Sequence, residues 1–128
     1  MGDIVQFLHE PTFKRAGAGR LVMLEDMPVR INGVLLTVRA PFITDGASIP
    51  KWIEWIMVGF IGHQYAPSIL RAATLHDWMC TRQHHWGSPR THTIFRSAAR
   101  SDNVAPLRAW IVWAAVRAFG PRWKRRLG

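Results

Sequence analysis

A β-hairpin is indicated by residues 29–38, which read Val-Arg-Ile-Asn-Gly-Val-Leu-Leu-Thr-Val. Asn32-Gly33 lies between two runs of β-forming residues, and a type I′ turn favours Asn and Gly because both of its central positions need positive φ. A second apolar run at residues 20–24 extends the strand-forming region towards the N-terminus. Residues 1–19 show no comparable pattern. The first part of the chain is therefore predicted to form a small antiparallel sheet.

The chain after the hairpin is predicted to be helical. Pro67 and Pro89 suit first helical positions, Ser88 suits an N-cap, and Gly120-Pro121 suits a helix end. Asp102 or Asn103 is expected to cap the last helix. These signals place helices at residues 50–60, 67–83, 88–100 and 104–119. The predicted fold class is α+β, with one domain in which a sheet precedes about four helices.

Positive charge is concentrated in the second half of the chain. The net charge of the 128 residues is +9, with 17 Lys and Arg against 8 Asp and Glu. The first 64 residues are balanced, so residues 65–128 hold the whole excess. We divide the chain into a lead segment (1–19), a domain (20–120) and a basic tail (121–128). The charge predicts an anionic partner, which would be nucleic acid, a membrane surface or an acidic protein, although a solvated basic face is the simpler alternative.

The tail is expected to be exposed and to provide the binding surface for that partner. Its aromatic and basic residues suit a groove, a membrane interface or stacked bases; they are Arg122, Trp123, Lys124, Arg125 and Arg126. No apolar run is long enough to span a membrane, and the N-terminus lacks the basic start of a signal peptide. These features predict a location in the host cytoplasm or in a virion, once the family resemblance described below is considered.

Ionisable side chains interrupt three otherwise unremarkable segments. Asp45 joins a predicted strand to a predicted helix, in a sequence that also suits a simple turn. His76 and Asp77 lie within an apolar helix, where a buried charge needs a partner. His92 lies three residues before Phe95, which would place it near the edge of the core. We predict that Asp45 and His76 lie close together and that Asp45, His76 and Asp77 form a catalytic cluster.

These segments carry a resemblance to the DUF1353 family of small phage and prophage proteins of unknown function. Thr44 to Pro50, Thr-Asp-Gly-Ala-Ser-Ile-Pro, matches the most specific family motif. The pair His76-Asp77 and the helix end at residues 114–120 also match. His92 stands where relatives usually carry Asp, and Cys80 stands where Tyr is expected. The resemblance covers roughly residues 20–120 and implies a phage or prophage setting, but it implies no reaction.

The exchange of Asp for His at position 92 favours metal ligation, because this is a role that the two side chains share. Asp45, His76 and His92 would then hold a transition metal such as Zn²⁺ or Fe²⁺, while Asp77 acts as general base or orients a ligand. Mg²⁺ and Ca²⁺ prefer oxygen ligands and are disfavoured. The same residues could instead form a buried hydrogen-bond network without metal.

Two other arrangements are weaker. His76, Cys80 and His84 recur every four residues and could form a zinc ladder, but three ligands from one straight helix fit poorly. His63 and Asp102 could complete a His-Asp phosphohydrolase set with His76-Asp77, but such enzymes are larger and all-helical. Two functions follow from the sequence: a metal-dependent hydrolase, or a non-enzymatic virion, tail or assembly component that docks on phage structural proteins through its Trp-rich basic half.

Overall fold

The computed structural model describes residues 3–15, 21–44, 67–119 and 122–126. The described part is α+β, with antiparallel sheets followed by helices. Its strands are β1 (Val5–Phe7), β2 (Phe13–Arg15), β3 (Leu21–Met23), β4 (Met27–Ile31), β5 (Val34–Val38) and β6 (Phe42–Thr44). Its helices are α1 (Pro67–Arg82), α2 (Ser88–Ser101) and α3 (Pro106–Phe119).

The predicted hairpin is confirmed as the pair β4–β5. Ile31 pairs with Val34 next to the turn, and Asn32 and Gly33 have φ values of 51° and 84°. Both values are positive, as the type I′ turn requires. The side chains of β4 alternate as a half-buried strand should, with Met27, Val29 and Ile31 in the core and Arg30 exposed.

The strands form two three-stranded sheets, whereas the sequence predicted one. The first has the order β1–β4–β5 and the second has the order β2–β3–β6. β1 and β2 come from the segment that the sequence assigned to a lead outside the domain. Both are only three residues long, which is too short for an alternating pattern to be recognised.

Three of the four predicted helices are found, and the fourth, at residues 50–60, lies outside the described residues. Two predicted caps are wrong. Gly87, with φ of 86°, takes the N-cap position of α2, and Ser88 donates its hydroxyl to the Trp123 carbonyl instead. The last helix begins at Pro106, so neither Asp102 nor Asn103 caps it, and Asp102 forms an ion pair with Arg71, whose Nε lies 3.0 Å from Oδ2. No helix in the described ranges is long and apolar enough to cross a membrane.

The core lies where α2 packs against its neighbours. α2 contacts α1, α3 and strand β1 of the first sheet. Strand β6 of the second sheet contacts α1. Small residues at Ala98 and Ala99, which are almost fully buried, allow this close approach. Large core side chains fill the space between the layers: Met23, Met27, Leu75, Met79, Ile94 and Phe95. The packing fixes α1 and α2 side by side, with His76 and His92 on their facing sides.

Candidate metal centre

Three potential metal ligands meet between α1 and α2. His76 and Cys80 are four residues apart on α1, so they lie one turn apart on the same side of that helix. His92 reaches them from the first half of α2. One ligand atom from each of the three side chains lies within 4.8 Å of the other two. The group His76, Cys80 and His92, here called the HCH cluster, could therefore hold a metal ion.

Two of the distances within the HCH cluster, both measured from His76, come close to those of a tetrahedral site, and all three ligand atoms lie within 4.8 Å of one another. His76 Nε2 lies 2.8 Å from His92 Nδ1, and Cys80 Sγ lies 3.5 Å from His76 Nε2. Around a tetrahedral Zn²⁺ two imidazole nitrogens would be about 3.3 Å apart, and a nitrogen and a sulfur would be about 3.6 Å apart. The sulfur already stands at the right distance from His76. The two rings need to separate by roughly half an ångström to admit the ion.

Burial keeps His76 in the neutral form that binds metals. The side chain is 3% exposed and stacks on Phe95, with 4.7 Å between ring centroids. Desolvation, and then the proximity of His92, lower the pKa of His76 to about 3. A lone pair is therefore present on the ring throughout the neutral pH range. His92 is equally buried, at 2%.

Unlike His76, Cys80 is not in its metal-binding form when no cation is present. Burial, and then the charge of Asp77, raise the pKa of its thiol to about 12. The thiol is therefore protonated at neutral pH unless a cation compensates the thiolate charge. A bound transition metal does this, because a coordinating thiol is deprotonated outright.

Of the residues predicted for the site, His76, Asp77 and His92 lie within the described part of the chain, and Asp45 does not. His76 and His92 are brought together, and Asp77 is half-buried close enough to Cys80 to influence its charge. Asp45 lies outside the described residues, so its place in the site remains a prediction. Thr44, which precedes it, is buried at the end of β6.

Cys80 is a potential ligand that the predicted set of Asp45, His76 and His92 did not include. One sequence signal pointed to Cys80, its spacing of four residues from His76, and the zinc-ladder alternative used that signal. In the structure the residue that joins His76 and Cys80 is His92, on a second helix. His84 instead stacks on His85, with 4.4 Å between ring centroids. The drift of one helix over two turns explains why His84 lies outside the group.

The basic tail is folded back against the turn between α1 and α2. The backbone N–H of Trp123 donates to Ser88 Oγ over 3.0 Å, and its indole N–H donates to the His84 carbonyl over 2.7 Å. The backbone N–H of Arg126 donates to the His85 carbonyl over 2.7 Å. Trp123 is thus half-buried and anchored, while Arg122, Lys124, Arg125 and Arg126 remain exposed.

A pocket of about 1110 Å³ lies between the tail, α2 and α3. His92 lines it, so one residue belongs both to the pocket and to the HCH cluster. The ring of Trp123 meets the ring of His92 edge-on, with 6.4 Å between centroids. A molecule bound in the pocket would therefore lie next to one of the three potential ligands.

Comparison with known proteins gives a family and two relatives. Residues 21–116 match the family described as "Protein of unknown function (DUF1353)". "Uncharacterized protein y4iH" of Sinorhizobium fredii is 36% identical over 95 residues, which are 74% of this chain and 38% of that protein. "Uncharacterized protein y4jT" of the same organism is 30% identical over 92 residues, 72% of this chain and 26% of that protein. The chain thus spans well under half the length of either relative, and no solved structure matches it significantly.

Proposed function

The chain belongs to the DUF1353 family of proteins of unknown function, and we propose that it is a metal-dependent hydrolase with Zn²⁺ or Fe²⁺ held by the HCH cluster. The observation that carries the proposal is the convergence of His76, Cys80 and His92 within 4.8 Å, with both imidazoles buried and the thiol half-buried. Two imidazoles and a thiolate suit borderline and soft metals, and they disfavour Mg²⁺ and Ca²⁺.

Three potential ligands meet among the residues that the structure describes, and this number favours catalysis over a purely structural role. Structural zinc sites usually have four protein ligands, whereas catalytic sites have three and keep one position for water or substrate. When bound, the metal would supply a Lewis acid and lower the pKa of water at that position. Asp45, which the sequence predicted both as a catalytic residue and as a ligand, would take the catalytic role in this proposal, so that the fourth position stays with water.

Asp77 is the proposed general base. It follows His76 on α1, is half-buried, and lies near enough to Cys80 to raise the pKa of the thiol. A carboxylate in that position can accept a proton from water near the HCH cluster, or can hold a ligand side chain in place. His76 remains a neutral ligand in either case.

A second candidate function is a non-enzymatic virion, tail or assembly component of a phage. The support for it is the basic, Trp-rich wall that the tail and α3 form around the pocket. The HCH cluster would then be a metal site or hydrogen-bond network that fastens α1 to α2, consistent with the 2.8 Å contact between its two imidazoles.

The hydrolase proposal is tested with chromogenic phosphate esters, carboxylic esters and amides, each assayed with added zinc and again with a chelator. We expect zinc-dependent cleavage of at least one class, abolished in His92→Ala and unchanged in His9→Ala, whose histidine is on the surface. Asp77→Asn should lower the rate by about 100-fold or more while leaving zinc affinity nearly unchanged. Zinc binding without cleavage of any class would contradict the hydrolase and favour the second candidate.

A further inference from the structure

The pocket beside His92 has an unusual lining. Five basic side chains lie around it, and no acidic residue is among the described residues that line it. The basic residues are Arg90, Arg117, Arg122, Lys124 and Arg125, all of them exposed. Positive charge focused in a concave site attracts anions, and Arg in particular matches the geometry of phosphate oxygens.

Three indole rings line the same pocket, from Trp86, Trp113 and Trp123. The guanidinium of Arg90 lies 4.1 Å above the ring of Trp86, and that of Arg117 lies 5.9 Å from the ring of Trp113. Arg and Trp therefore form layered flat surfaces of the kind on which nucleobases stack.

From these observations we infer that the pocket binds a nucleotide, with phosphate on the basic residues and the base against the Arg–Trp layers. A simple anion would use only the charges, and an apolar ligand would use only the rings. A volume of about 1110 Å³ is slightly above the usual range of small-molecule sites, which is roughly 300–1,000 Å³. It accommodates a free nucleotide or one unit of a single strand.

The position of His92 connects this pocket with the HCH cluster. A nucleotide in the pocket would lie beside one of the proposed ligands. That such a nucleotide is the substrate rests on the proposed hydrolase function. Binding itself rests on charge and stacking alone, so it is expected without metal.

The test is calorimetric titration of the full chain, first in chelator and then with zinc. The probes are adenosine 5′-monophosphate, adenosine, inorganic phosphate and a short single-stranded oligodeoxyadenylate. We expect the monophosphate to bind at least about 10-fold more tightly than adenosine or phosphate, since it alone uses both kinds of surface. If the oligonucleotide binds much more tightly than the monophosphate, the nucleotide belongs to a strand; comparable affinity indicates a free nucleotide.

Substitutions locate the site. Arg117→Gln with Lys124→Gln should weaken monophosphate binding about 10-fold or more and reduce its dependence on salt. Trp86→Leu should weaken it about 5-fold or more through lost stacking. Arg108→Gln is the matched control, because Arg108 is exposed on the same helix as Arg117 but does not line the pocket.

Several results would overturn the inference. Phosphate that binds as tightly as the nucleotide would mean a simple anion surface, and an equal loss in Arg108→Gln would mean unspecific attraction. Failure of both the monophosphate and the oligonucleotide to bind would exclude a nucleotide site. Because the first titration is in chelator, nucleotide binding without any zinc affinity would refute the metal proposal alone, and zinc affinity without nucleotide binding would refute this inference alone.

Discussion

His76 can act as a metal ligand only in its neutral form, and its position in the core favours that form. The ring is enclosed by Phe95, His92 and the side of α1, and its burial lowers its pKa to about 3. Because a buried, unpaired positive charge is costly, the folded state disfavours protonation of the His76 ring. For a metal ligand this has a benefit, because protons do not compete for the nitrogen until the solution is strongly acidic.

The lowered pKa of His76 predicts how the metal-free protein responds to acid. Unfolded His76 takes up a proton below about pH 6.5, while folded His76 does not until about pH 3, so the unfolded state binds more protons between these values. The free energy of unfolding should therefore fall as the pH falls through this window, by up to about 1.4 kcal/mol per pH unit from this residue. Urea denaturation in chelator between pH 6.5 and 5 measures it.

His76→Leu provides the comparison for the acid response. Leucine is apolar and cannot titrate, so the difference in slope between the two proteins isolates this one histidine. Identical slopes would show that His76 takes up its proton in the folded state near its ordinary pKa, and would remove the electrostatic account of the site.

At the scale of elements, the tail and the α1–α2 turn form one packed unit. Gly87 lies at the centre of this contact, because a Cβ at that position would stand 2.8 Å from the backbone nitrogen of Arg125. The positive φ of 86° is a second reason why this position requires glycine. The tail thus contributes a wall of the pocket through backbone contacts, while its basic side chains stay exposed.

Gly87→Ala should therefore destabilise the protein by two separate effects, the positive φ and the clash with Arg125. Gly33→Ala is a control for positive φ, since Gly33 has φ of 84° but open space around its Cβ position, whereas Gly87, with ψ of 162°, also lies in a backbone region that is essentially restricted to glycine. The φ term alone is about 1–2 kcal/mol, so Gly33→Ala should lose about this much and Gly87→Ala clearly more. Chemical denaturation of both variants measures the difference, and equal losses would show that the tail does not pack on Gly87.

Local patterns explain which elements could be predicted from the sequence. The hairpin at Asn32-Gly33 depends on neighbouring residues and could be recognised, as could the helices that begin near Pro67 and Pro89. β1 and β2 depend on partners far along the chain, and three residues carry too little pattern to show it. Ser88 fitted a cap by its chemistry, but the tail provides it with a different partner.

At the scale of the whole molecule, the site depends on how two helices pack. The sequence identified His76 and His92 separately, and the spacing of Cys80 from His76 was visible on one helix. The contact of α1 with α2 decides which of the neighbouring polar residues meet. This contact cannot be recognised from any local sequence pattern. The same packing, with α3 and the tail, places the basic and aromatic residues in one pocket beside His92.

The most direct test of the metal site is the absorption spectrum of the protein titrated with Co²⁺, a spectroscopic substitute for zinc. A thiolate and two imidazoles predict visible bands of tetrahedral cobalt and a near-ultraviolet sulfur-to-metal band, because the thiolate is the form of Cys that ligates. Cys80→Ser should abolish the sulfur band, His92→Ala should lower affinity about 10-fold or more, and His9→Ala should match the wild type. A spectrum without the sulfur band in the wild type, or one that Cys80→Ser leaves intact, would contradict metal binding by His76, Cys80 and His92.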